Sequence, residues 1–117
     1  MTLKPAPRAW LRLLPSLSFV LLSACATNPA LERSREAFAD GDRMTAFARL
    51  KEETAKEPRN HELRAYYLRQ RDLLTAERLA AADRARAAGR TEEAGQLYAE
   101  TLQIDPDHPR ARAGADA

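Results

Sequence analysis

The chain has 117 residues, with 19 Lys plus Arg, 17 Asp plus Glu, two His and one Cys. That length leaves no room for an enzyme with separate cofactor and substrate domains, and a single Cys cannot build an internal disulfide framework or a Cys-based zinc site. Lys4, Arg8 and Arg12 are the only charged side chains before Cys25, so residues 25–117 carry 16 basic and 17 acidic groups and are close to neutral. The net charge of +2 therefore gives no argument for a nucleic-acid partner.

In chain order, the first feature is a positively charged start running into the apolar stretch Leu13 to Leu22. This is the charge-then-apolar pattern of a secretory signal. Ten residues are about half of the roughly 20 that a bilayer-spanning helix needs, and Pro15 weakens a helix further. The next four residues, Leu22-Ser23-Ala24-Cys25, resemble the lipobox of bacterial lipoproteins. The resemblance implies cleavage after Ala24, a diacylglyceryl group on the Cys25 thiol and acylation of the new N-terminus. An export signal that happens to precede a Cys, or a buried structural thiol, is the competing reading. Several acyl chains satisfy the requirement that stable anchoring takes more than one. By the sorting rule of that family, Ala26 rather than Asp after the Cys implies the outer membrane. Residues 1–24 are thus expected to be a lipoprotein signal peptide, residues 25–30 a lipidated tether and residues 31–117 the folded domain.

The folded part reads as helix throughout. Ile104 is its only β-branched aliphatic residue, while Ala, Leu, Arg and Glu dominate, so strands have little to be made from. Gly41, Pro58, Gly89 and Pro106 divide it into helices near 30–40, 43–57, 61–88 and 92–104, with a fifth starting near 109. Gly41 to Pro58 and Gly89 to Pro106 are both 17 residues. In each window an Ala follows the Gly by five positions (Ala46, Ala94) and a bulky residue comes four later (Leu50, Tyr98).

This spacing resembles the second helix of the tetratricopeptide repeat, which carries A-x-x-x-F and ends at Pro. The resemblance implies an all-α fold of TPR-like antiparallel helical hairpins. Gly89 would end one helix in the left-handed conformation and Thr91 would cap the next, with Glu92 and Glu93 at its positive end. Ala94, Leu97, Tyr98, Thr101 and Leu102 form one helical stripe. The chain departs from the family at Arg78, Ala81 and Ala82, where the consensus has aromatic, Leu and Gly. Pro58 to Pro106 is also 48 residues, against the usual 34 or so. The excess is close to four helical turns, which predicts one long central helix whose buried face does not rotate. Asn60 would cap that helix and Glu62 would lie in its first turn. Leu63, Tyr67 and Leu74 would serve the first hairpin, and Ala81, Ala85 and Ala88 the second.

The run Tyr67-Leu68-Arg69-Gln70-Arg71-Asp72, the Gly89 repeat, Asp105-Pro106 and Ala111 to Gly114 together resemble the N-terminal helical segment of secretin-type proteins of type II secretion and type IV pilus systems. Such segments precede ring and barrel domains, neither of which lies in these 117 residues. The resemblance implies partners among envelope proteins, secretin or pilus assembly components included.

Candidate chemistry is sparse. His61 and His108 stand beside Pro-containing loops without a second His at ligand spacing, so capping or surface roles are expected and no metal site. Adjacent Tyr66 and Tyr67 cannot both face one core; either one is offered to a partner or the buried face is broad. No catalytic residue is assigned, and the only added group is the lipid on Cys25. Twelve of residues 25–117 are Leu, Ile, Val or Phe, a thin core, and two repeats fall short of the three or so a solenoid usually needs. Stability is expected from neighbours: another protein, a second copy or further chain. Leu97 and Leu102 are expected to lie uncovered, because the helix from Pro109 looks too short to close the last hairpin. The function expected is an outer-membrane scaffold lipoprotein on the periplasmic face that binds envelope proteins. The alternatives are a cell-wall enzyme accessory and an N-terminal remnant of a longer secretin.

Overall fold

A computed structural model describes residues 2–3 and 27–117 of the chain. Cys25 and the motif Leu22-Ser23-Ala24 lie outside the described residues. Among the described residues the protein is all-α, with five helices and no strand. They are α1 (Pro29–Asp40), α2 (Arg43–Lys56), α3 (His61–Ala87), α4 (Thr91–Ile104) and α5 (Pro109–Ala115). None is long and apolar enough to cross a membrane.

Local chemistry explains each boundary. Asn28 opens α1 by accepting from the Leu31 N–H at 3.2 Å, with Pro29 in the first turn where its missing donor costs nothing. Asp42 opens α2, its carboxylate accepting from the N–H groups of Met44 and Thr45. Asn60 opens α3 as expected, accepting from the Leu63 N–H at 3.0 Å, with Glu62 in the first turn. The end of α3 is a Schellman motif. Gly89 takes φ +75°, its N–H donates to the Arg86 carbonyl, and the Arg90 N–H reaches back to the Ala85 carbonyl.

That motif overturns the expectation for Thr91. Arg90 is engaged in closing α3 and at the same time stands at the cap position of α4, so the turn is too short to leave Thr91 outside the helix. Thr91 is the first helical residue, and α4 has no side-chain cap. Glu92 and Glu93 in the first turn face its positive end instead, and Arg90 pairs with Glu93 at 2.6 Å.

The two proline turns have one construction. Glu57-Pro58-Arg59-Asn60 and Asp105-Pro106-Asp107-His108 each place an acidic residue at the end of a helix and a capping side chain three positions later. In both, the last N–H donates to the first carbonyl, at 2.9 and 3.2 Å. Asn60 then caps α3, and His108 Nδ1 accepts from the Ala111 N–H at 3.4 Å to cap α5.

Successive helices run antiparallel. Arg33 near the start of α1 meets Glu53 near the end of α2, and Arg43 near the start of α2 meets Glu77 of α3. Arg78 of α3 meets Glu100 of α4, and Asp83 and Arg86 of α3 meet Arg110 and Gly114 of α5. Ala30, Leu31, Leu50 and Leu63 form the core of the first hairpin. Leu79, Ala82, Ala85, Ala94, Tyr98 and Ala111 form that of the second. Phe47, Leu74 and Ile104, one from each of α2, α3 and α4, join the two. The repeat positions Ala46, Leu50, Ala94 and Tyr98 are all buried, whereas Gly41, Pro58, Gly89 and Pro106 lie exposed at the turns.

The buried face of α3 does rotate. Ala82 and Leu79, with Ala85, are the residues that meet α4, while Ala81 is half-buried and Ala88, the C-cap, is exposed. At 100° per residue, Ala85, Ala82 and Leu79 lie roughly 40°, 100° and 160° round from Leu63, a stripe centred about 100° away. The second hairpin therefore docks on a different side of α3 from the first. Preserving the helical phase across the extra turns would have placed both hairpins on one face; instead Tyr98 packs among Leu79, Ala82 and Ala85.

The helical domain also begins earlier than residue 31: Asn28, Pro29 and Ala30 belong to α1 or its cap, and Ala30 is fully buried.

Candidate interaction surface

Helix α2 buries Ala46, Phe47 and Leu50, with Phe47 clustered with Leu74 and Leu50 with Leu63 of α3. Its next face, with Met44, Ala48, Lys51 and Ala55, borders a cleft of about 670 Å³ whose far wall includes Gln103 of α4. The long α3 creates this cleft. Because α2 covers its first half and α4 its second, the start of α2 and the end of α4 come together around Phe47, Leu74 and Ile104, leaving a gap beside that contact. Its lining combines Met44, Phe47, Ala48 and Ala55 with Thr45, Lys51, Glu52 and Gln103.

A second cleft, of about 400 Å³, lies where α3 meets the turn between α4 and α5, between Asp72, Thr75, Leu79, Asp105, His108 and Arg110. Thr75 Oγ1 is buried there without a hydrogen-bond partner among the described residues. Asp83 borders it too, but both its oxygens are engaged: the Tyr98 hydroxyl donates to Oδ1 at 2.9 Å and Arg110 donates to Oδ2. The Tyr98 hydroxyl, and then Arg110, hold the Asp83 carboxyl below its usual range. Burial, and then the Asp83 carboxylate, push the Tyr98 phenol up. The Arg86 guanidinium lies over the ring, 4.9 Å from its centre. These bonds fasten α5 to α3 through Tyr98; they place no free reactive group in the cleft. Among the described residues no three His, Cys, Asp or Glu side chains are arranged to hold a metal ion.

The residues singled out as a partner surface fall into two sets. Tyr66 and Tyr67 are both half-buried on separate aromatic neighbours. Tyr66 meets the edge of Phe38 at 5.8 Å, and Tyr67 stacks on Phe47 at 5.4 Å with the planes 16° apart. The broad buried face is the arrangement adopted: the two tyrosines share the crossing of three helices, and burial raises the Tyr66 phenol above its usual value. Leu97 and Leu102 are half-buried against the second core. The expectation of an open end there is corrected by α5, which covers Tyr98 with Ala111 and Gly114, both buried. A Cβ built on Gly114 would come within 2.6 Å of the Tyr98 ring, so α5 reaches the ring only because that position has no side chain. His61 is exposed and His108 caps α5.

Sequence reasoning missed Gly114, Ala111, Asp83 and the α2–α4 cleft. Ala111 and Gly114 stand three apart, the helical spacing for two small residues on one face, and that signal was available. The cleft depends on where α4 ends against α2, for which local sequence holds no signal. No family model matches the chain, and comparison with curated proteins and with solved structures finds no match.

Proposed function

We propose that this chain is a lipid-anchored scaffold of the outer membrane, held on the periplasmic face through Cys25. Its helical hairpins would bind proteins of an envelope assembly, a secretin system of the type II secretion kind being the leading candidate. The observation that carries this reading is the run Leu22-Ser23-Ala24-Cys25, behind a charged and apolar leader and three residues ahead of the first helix cap at Asn28. The helical part supports it by offering a cleft lined by Met44, Ala48, Lys51 and Ala55 that suits an amphipathic segment of a partner.

The test has two arms in intact cells. Metabolic labelling with a fatty acid should mark the wild-type protein and fail with Cys25→Ser, which should also leave the membrane fraction. Photo-crosslinking from position 48 should capture secretin or pilus assembly components. Labelling unchanged by Cys25→Ser would remove the anchor, and lipidation without any captured envelope protein would remove the scaffold.

A further inference from the structure

The end of the domain nearest Cys25 is bound together by a reciprocal amide pair. Asn28 Nδ2 donates to Asn60 Oδ1 at 2.7 Å, and Asn60 Nδ2 donates to Asn28 Oδ1 at 3.0 Å. The same two oxygens cap α1 and α3, while Asn28 Nδ2 also reaches Glu62 and Asn60 Nδ2 reaches Glu57. The starts of α1 and α3 and the turn at residues 57–60 thus form one polar end. Asn28 is three positions from Cys25, a span of at most about 11 Å.

From that end α3 runs unbroken for 27 residues, about 40 Å at 1.5 Å per residue. It contains no Gly or Pro, and the shared cluster of Phe47, Leu74 and Ile104 braces its middle. At its far end Arg86 donates to the Gly114 carbonyl, so α5 finishes there too. The long sides carry charges of both signs, paired as Arg33 with Glu53, Arg43 with Glu77 and Arg78 with Glu100. Leu68 and Leu73 are the large exposed apolar side chains of α3, and they point roughly 140° apart. They make no stripe on which the domain could lie along a bilayer.

We infer that the polar end formed by Asn28, Glu57, Arg59 and Asn60 rests against the lipid headgroups, and that α3 stands the second hairpin off from the bilayer by most of its length. This rests on the lipidation of Cys25 proposed above. The α4–α5 end is then the part of the domain farthest from the membrane, and the Asn28–Asn60 pair sets the angle at which α3 leaves the anchor.

Trp10 is the only tryptophan of the chain and precedes Cys25, so the processed protein has no Trp background. Arg59→Trp and Ala88→Trp variants, both at exposed positions, are purified from membranes, examined by mass spectrometry and reconstituted into phosphatidylethanolamine and phosphatidylglycerol vesicles containing a dansyl lipid. Energy transfer should be several-fold stronger from position 59 than from position 88. Adding Asn28→Asp, which keeps an oxygen to cap α1 but loses the amide donor to Asn60, should narrow that difference while circular dichroism stays unchanged. Equal transfer from the two positions in lipid-bearing protein would overturn the stand-off geometry. An Asn28→Asp variant with unaltered transfer would overturn the role of the amide pair. Absence of lipid in the mass spectrum would instead remove the anchoring on which both depend.

Discussion

At the scale of single residues, the glycines of α4 and α5 separate two effects that a sequence alone merges. Gly95 lies in α4 with nothing within 4 Å of a Cβ built on it. Gly95→Ala should therefore stabilise the protein by about 0.5–1 kcal/mol through the reduced freedom of the unfolded chain. Gly114 is also helical, but its Cβ would enter the Tyr98 ring. That ring carries the Arg86 guanidinium over it and its hydroxyl is bonded to Asp83, so it cannot shift without breaking those contacts. Gly114→Ala should cost about 1–3 kcal/mol by overpacking, less any gain in helix propensity. Urea unfolding of both variants checks the pair; stabilisation by Gly114→Ala would mean that α5 does not seat on Tyr98.

At the scale of elements, the sequence was legible wherever a boundary depends on a single residue. Gly89, Pro58, Pro106, Asn60 and the Ala46 and Ala94 spacing each act through local sterics or one hydrogen bond, and the five helices fall within a residue or two of the expected limits. Thr91 misled because the preceding turn already uses Arg90, a competition between two helix ends that a cap rule applied to one helix does not see. The face of α3 misled because a helical stripe describes one partner, and α3 has two. The docking of α5 was missed because it is made by two small residues, Ala111 and Gly114, and an ion pair rather than by large apolar side chains. Asp83 makes that docking sensitive to acid. Its carboxyl sits below the ordinary value of 3.8 in the folded protein, so its contribution is complete above that value and is lost as the pH falls through the lowered one. Hydrogen exchange should show α5 losing protection in that acid range, and Asp83→Asn should make α5 exchange faster at neutral pH and abolish its further loss in acid. An acid response of α5 that survives in Asp83→Asn would assign it to another group.

For the whole molecule the decisive feature is that the two hairpins share α3 instead of being joined by a linker. The core is thin, and much of it is alanine, yet Leu50, Leu63 and Leu74 are each no more than 1% exposed. Leu74 is clustered with Phe47 of the first hairpin and Ile104 of the second. Leu74→Ala should cost about 2–5 kcal/mol, a large part of the stability of a domain this size. The loss should appear in α2 and α4 together. Hydrogen exchange followed by mass spectrometry reads this directly, and loss confined to one hairpin would mean that the two fold independently.

The shared helix has a mechanical consequence. The domain is held at Asn28 by bonds to the start of α3, and its last helix is held at Gly114 by a bond from the end of the same helix. A pull between those points runs nearly parallel to the axis of α3, so it loads the contacts of both hairpins in shear, all at once. A force applied across the axis would open the same contacts one after another, as a zipper does. If a lipid on Cys25 holds one end, as proposed, and a partner drags on the α5 end, the protein resists along its strong direction, and tension passes between the two without first unfolding the domain that carries it.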